Sequence, residues 1–170
     1  MKAALVLSWL ALAAPFAAAA EFGEKLRPGA TVAFLGLGFI DSSTEGAYNG
    51  VRPDEMQRRV MLEDQVRARF ADEGFDLVPL DPVAEDLANT LNPADCAGCD
   101  VRFGVRLDAD YVLVGEVQKV SNLILSMNLV LRDTASGQMI RGKSVDIRSN
   151  TDESWQRGMN YILKTHYFNP

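Results

Sequence analysis

Tyr111–Val120, YVLVGEVQKV, followed by Leu123–Arg132, LILSMNLVLR, and then by Gln138–Ile147, decides the fold. The first segment starts as a continuous apolar run and then begins to alternate, as a strand does when it leaves a covered part of a sheet. Ser121-Asn122 and Ser136-Gly137 stand between the segments as tight connections, so the three read as an antiparallel meander. Beyond them, Thr151-Asp152-Glu153-Ser154 supplies an N-cap and first-turn acids for a final helix to about Thr165, with Trp155, Met159 and Ile162 on its apolar side.

The residues before the meander follow a different rhythm. Thr31–Ile40, TVAFLGLGFI, is apolar almost throughout and fits a strand buried on both faces. Asp41–Val51 is a polar loop. Pro53 then opens a helix carrying Met56, Val60, Val66 and Phe70, which ends at Gly74. Phe75–Leu80 reads as a short strand and Val83–Thr90 as a second helix. Asn92-Pro93 breaks the chain, and a third helix covers about Asp95–Leu107, with Val101, Val105 and Leu107 sharing a face. The predicted fold class is therefore α/β (α+β), a single domain over residues 31–168 with one mixed sheet. It has an early strand–helix–strand unit, a late antiparallel three-strand meander and a C-terminal helix.

Residues 1–20 have the three parts of a cleavable export signal. Lys2 gives the positive start, Ala3–Ala14 the apolar stretch, and Pro15 with Ala17–Ala20 the break and the small residues for cleavage after Ala19 or Ala20. The apolar stretch is shorter than the ~20 residues of a membrane span. Residues 21–30 form a lead-in. The expected location is the periplasm, with no membrane span after cleavage. A formal net charge of -6 argues against nucleic acid as a partner, because phosphate recognition needs a concentrated basic face.

Some segments resemble known families. Gly74-Phe75 with Leu77-Val78, Leu107–Val117 (LDADYVLVGEV) and Arg132–Gln138 (RDTASGQ) resemble the amino-terminal domain of TolB and the related domains of curli-secretion and lipoprotein-assembly factors. Cys96-Ala-Gly-Cys99, Gly115–Leu125 and Asn150–Trp155 are similar to a family of predicted periplasmic proteobacterial proteins that is catalogued as a domain of unknown function. That resemblance implies a genomic setting of quinoprotein alcohol oxidation and c-type cytochromes.

Cys96 and Cys99 are the only cysteines. Export favours a disulfide between them. The same spacing at a helix start is the one dithiol oxidoreductases use, although Asp95 and Asp100 oppose thiolate formation and the pair does not follow directly on a buried strand. Zinc lacks ligands, because His166 is the single histidine. That histidine reads as an exposed tail residue, and a nucleophilic triad would have to rely on it. Gly36-Leu-Gly38 lacks the third glycine of a dinucleotide fingerprint, so it reads as strand glycines admitting another backbone.

Two polar groups remain as candidate partner contacts. One is Gln118, Lys119, Ser121 and Asn122; the other is Arg148, Asn150, Asp152, Glu153 and Trp155. If the last strands pair, both lie near one end of the sheet. Caps and turns explain Ser121, Asn122 and Asp152, and Lys119 and Arg148 would pair with Asp152 or Glu153 as surface ions. Trp155 reads as a core anchor ahead of a binding platform. No catalytic residue, metal or cofactor is assigned. The leading expectation is a non-enzymatic periplasmic accessory or assembly protein that binds another protein. A dithiol redox or cofactor-handling protein and a small-ligand sensor using Asp41–Val51 are the alternatives.

Overall fold

The computed structural model describes residue 23 and residues 25–168, so the export segment 1–20 and part of the lead-in lie outside the described residues. Five strands form one sheet in the order β2-β1-β3-β4-β5, with β1 Thr31–Asp41, β2 Asp76–Leu77, β3 Tyr111–Ser121, β4 Ile124–Asp133 and β5 Met139–Arg148. β1 runs parallel to both β2 and β3, whereas β3, β4 and β5 form the antiparallel meander. The helices are α1 Thr44–Asn49, α2 Pro53–Asp72, α3 Ala84–Ala88, α4 Cys99–Arg106 and α5 Asp152–Ile162.

Two hydrophobic clusters flank the sheet, and their extents explain the change of rhythm along β3. The larger contains Leu62, Val66 and Phe70 of α2 and Trp155, Met159 and Ile162 of α5. These pack on Tyr111, Leu113, Val117 and the β4 residues Leu125, Met127, Leu129 and Leu131. The smaller, on the opposite face, joins Val83, Cys99 and Phe103 to Ala33, Leu35, Val112 and Val114 only. The first half of β3 is therefore covered on both sides and wholly apolar, and the second half is covered on one and alternates.

β1 serves both clusters through a bulge. Val32 and Phe34 face the larger cluster while Ala33 and Leu35 face the smaller, yet Leu37 returns to the larger. The register with β3 slips between Phe34 and Leu37, and the inserted residue Gly36 has φ +93°, a conformation glycine adopts without strain. The glycines of Gly36-Leu-Gly38 do not admit another backbone, as the sequence suggested. Side chains approach them instead: a Cβ at Gly36 would lie 3.0 Å from Glu63 Oε1, and one at Gly38 would lie 2.9 Å from Asn92 Oδ1. The bulge is stitched from α2, because the Leu37 N–H donates to Glu63 Oε1 at 3.0 Å and Arg59 Nη1 donates to the Leu37 carbonyl at 3.2 Å.

Several local expectations need correction. Asp41–Val51 is not only a loop, since α1 forms within it, capped by Ser43 whose hydroxyl accepts from the Gly46 N–H. β2 is two residues long, shorter than Phe75–Leu80. α4 begins at Cys99 and buries Cys99, Asp100, Phe103 and Gly104, leaving Val105 60% exposed. Of the face drawn through Val101, Val105 and Leu107, Val101 and Leu107 pack partly buried against the smaller cluster, whereas Val105 turns outward. After α5 the chain continues as a π-helical stretch, Leu163–Phe168. His166 lies in it half-buried, its Nε2 enclosed and its ring 5.8 Å from Tyr161, so it is not an exposed tail residue.

Candidate functional site

The carboxyl ends of the parallel strands β1 and β3 are where an α/β sheet ordinarily holds its ligands, and here they carry a knot of charge. Lys119 is in phase with Leu113 and Val117, so the period of two turns it inward. Its side chain is 0% exposed, and its ammonium donates to Glu55 Oε1 at 2.7 Å, Asp41 Oδ2 at 3.1 Å and Glu45 Oε2 at 3.3 Å. Glu55 is in turn on the core side of α2, seven residues before Leu62 and eleven before Val66. Its second oxygen accepts from the Arg52 N–H at 3.2 Å, closing the start of the helix.

The two polar groups named from the sequence meet around this lysine. Asn150 Nδ2 donates to Glu55 Oε1 at 2.7 Å, and Asn150 Oδ1 accepts from Trp155 Nε1 at 2.9 Å. Asn122 Nδ2 donates to Glu45 Oε2 at 2.6 Å, with Asn150 Nδ2 3.5 Å from Asn122 Oδ1. Trp155 is fully buried and its ring lies 5.9 Å from Phe39, the core position expected for it. Gln118 reaches Ser42 Oγ at 3.4 Å, and Ser121 Oγ accepts from the N–H groups of Leu123 and Ile124 as a turn residue.

The surface pairing expected for Lys119 and Arg148 does not form. Lys119 is enclosed among Asp41, Glu45 and Glu55. Asp152 pairs instead with Arg58 at 2.7 Å, and Glu153 with Arg157 at 3.5 Å. The Arg148 side chain is exposed, while its carbonyl accepts the Ser154 hydroxyl at 2.6 Å. Asp41 and Glu45 lie in the segment read as a polar loop and as the alternative ligand-sensing site, while Glu55 and Arg58 of α2 have no local signal that ties them to the sheet end. The signal present is one of phase: Lys119 in phase with core residues of one strand, and Glu55 in phase with core residues of one helix.

The charge states of the site are held by neighbours. Burial pulls the Asp41 carboxyl upward, but two hydrogen bonds from Ser43 and the Lys119 ammonium outweigh it and keep the carboxyl below the usual range. Glu45 is lowered mainly by Asn122 and then by Lys119. Burial pulls Lys119 downward, and Glu55, Asp41 and Glu45 reverse this and raise it. The carboxylates therefore add stability above their unfolded values near pH 4, lost as pH falls through their folded values. Lys119 adds stability below its unfolded value near 10.5, lost as pH rises through its folded value. His166, lowered by burial and by Lys143, subtracts stability as pH falls through its unfolded value near 6.5. A plateau between about pH 7.5 and pH 10 with a fall on each side is the expected urea-midpoint profile; a midpoint that drifts across that plateau would contradict it.

Cys96 and Cys99 are bonded to each other, with Cα atoms 5.4 Å apart. Their loop leads out of Asn92, whose Nδ2 donates to Glu116 Oε2 at 2.7 Å on the sheet. So short a loop limits the entropic gain: replacing both cysteines by serine should lower unfolding free energy by only about 2 kcal/mol, read from urea denaturation. Among the described residues no group of three or more His, Cys, Asp or Glu is placed to hold a metal ion, and no helix is long and apolar enough to cross a membrane.

Fold and site together define a small α/β domain with a mixed five-stranded sheet and a charge-locked end. A family model described as "Protein of unknown function (DUF2380)" matches residues 30–167. The chain belongs to that family. No curated protein matches it by sequence. Among solved structures, the C-terminal domain of LpoB from Salmonella enterica is 16% identical, covering 76% of this chain and 88% of that one with a TM-score of 0.52. The PelC dodecamer from Paraburkholderia phytofirmans is 12% identical, covering 84% of this chain and 90% of that one with a TM-score of 0.51. TolB from Acinetobacter baumannii is 12% identical and covers 85% of this chain but 30% of that one, with a TM-score of 0.42. At these identities the likeness is one of fold.

Proposed function

We propose that the protein is a non-enzymatic accessory or assembly factor of the bacterial envelope, working in the periplasm by binding another protein. The observation that carries this reading is the use of the charged groups at the sheet end. The lysine and three carboxylates there are committed to one another. Around that locked centre, Asn122, Arg148, Asp152 and Glu153 present exposed polar groups, and these form the proposed contact surface. The export segment 1–20 supports the location, and the link to quinoprotein alcohol oxidation rests on the sequence resemblance alone.

Affinity capture from periplasmic extract of the native cell tests it, using the mature chain beside an Arg148→Glu, Asp152→Arg, Glu153→Arg variant. A protein retained by the first and lost by the second is the expected result. Identical recoveries, or none, would refute the reading. A second reading, a dithiol redox protein, is favoured by the half-exposed Cys96 of the bonded pair at a polar pocket of about 380 Å³ lined also by Asp95, Asp100 and Arg132. Its reduction potential decides: a value below roughly −300 mV marks a structural bond.

A further inference from the structure

The two edges of the sheet are guarded unequally. β5 carries Lys143, Asp146 and Arg148 along its length, the usual protection of an open edge. β1 has no such guard. Its partner β2 leaves after Leu77, and the remaining Leu37–Ile40 segment of the edge, Leu-Gly-Phe-Ile, is without charge. The Leu37 N–H and carbonyl point to this side, where Glu63 and Arg59 hold them. The period of two therefore aims the Phe39 N–H and carbonyl the same way.

Beside that edge runs a groove of about 650 Å³, walled by α2 and α3 and lined by Leu37, Phe39, Met56, Leu80, Leu87 and Leu91. Leu91 is 105% exposed and Val51, at the same groove, 49%. Such an apolar rim serves no packing inside the fold. The one charged residue at the groove is Arg59, and Glu63 neutralises it at 2.9 Å. An apolar, electrically balanced groove suits uncharged side chains better than charged ones, which would be desolvated there without a partner.

We propose that the Phe39 edge and this groove bind an extended, uncharged segment of a partner protein, which adds to the sheet as a strand beside β1. Its backbone meets the Phe39 N–H and carbonyl. Its alternate side chains, apolar, enter the groove between Met56 and Leu87. The proposal goes beyond the protein-binding reading above, because it places a second surface away from Arg148, Asp152 and Glu153 and states the conformation of what it holds.

The test is selection of phage-displayed random 12-residue peptides on the folded mature chain, followed by synthesis of the enriched sequences. The expected sequences alternate apolar residues, protect the Phe39 amide from hydrogen exchange, and lose at least about tenfold in affinity against a Val51→Asp, Leu91→Asp variant. Both substitutions are at exposed positions, and N-methylation of alternate peptide amides should abolish binding to the unaltered protein as well. No enrichment, protection along β5 instead of Phe39, unchanged affinity for the double variant, or binding that survives N-methylation would overturn the proposal. So would a concentration-dependent dimer that protects Phe39 without peptide, since a second copy would then own the edge. The Arg148→Glu, Asp152→Arg, Glu153→Arg variant should bind the peptides normally, which separates failure here from failure of the polar contact surface.

Discussion

A Lys119→Met variant should lose about 3–5 kcal/mol of stability at neutral pH, the cost of removing one partner from a buried ion cluster. Methionine fills a similar volume, so little of that loss comes from packing. What remains is the Asp41 and Glu55 carboxyl groups, 3% and 0% exposed, facing each other without the ammonium. Deprived of it, the Asp41 carboxyl should hold its proton more tightly, because both burial and a neighbouring carboxylate disfavour its ionised form. The variant's deficit relative to the unaltered protein should then shrink as pH falls from 7 towards 5. Adding Glu55→Gln to Lys119→Met should recover part of the loss. Urea denaturation at pH 5 and pH 7 checks both points, and a neutral-pH loss under 1 kcal/mol would show that the cluster is not holding the sheet end.

Trp155→Ala should cost a comparable ~3–5 kcal/mol, the range for emptying a large aromatic site in a core. The side chain is fully buried, and its effect extends beyond volume. Its Nε1–H fixes Asn150 Oδ1, and Asn150 Nδ2 in turn donates to Glu55, so the cavity and the charge cluster are coupled. Trp155→Phe separates the two contributions: it keeps most of the packing, drops one hydrogen bond and should cost about 0.5–1.5 kcal/mol, since Arg58 Nη1 still lies 3.5 Å from the half-buried Asn150 Oδ1. Circular dichroism is the appropriate probe, because Trp9 lies in the export segment and Trp155 is the remaining tryptophan.

The elements legible in the sequence are those whose signals are local. Pro53 and Gly74 bracket α2 at Pro53–Asp72, Thr151 caps α5, and the paired turns deliver the meander with edges shifted by one residue. The misread elements depend on partners distant in the chain. α1 is six residues long, too short to hold by propensity alone. It stays on the sheet because Glu45 reaches Lys119 and Asn122, and because Gly46 leaves room for the Asp41 carboxyl, which a Cβ there would collide with. Lys119 and Glu55 are each in phase with core residues, yet a lone charged residue in an apolar phase reads as the end of a pattern until its partner is known. The surface polar residues Arg148 and Glu153 were placed correctly at the sheet end but joined to the wrong ions.

The parallel pairing of β1 with β3 sets an order of events in folding. Thr31 meets Asp110, 79 residues further on, while β3, β4 and β5 join through short turns. Loop closure over such a span is costly and slow compared with hairpin formation. The meander and α5 therefore have the means to assemble first, and the parallel strand is inserted late. During synthesis β1 is made before any of its final neighbours, with TVAFLGLGFI apolar on both faces. The strand whose first half ends covered on both faces spends longest exposed, and the chain's tendency to aggregate on the way to its native state is concentrated there.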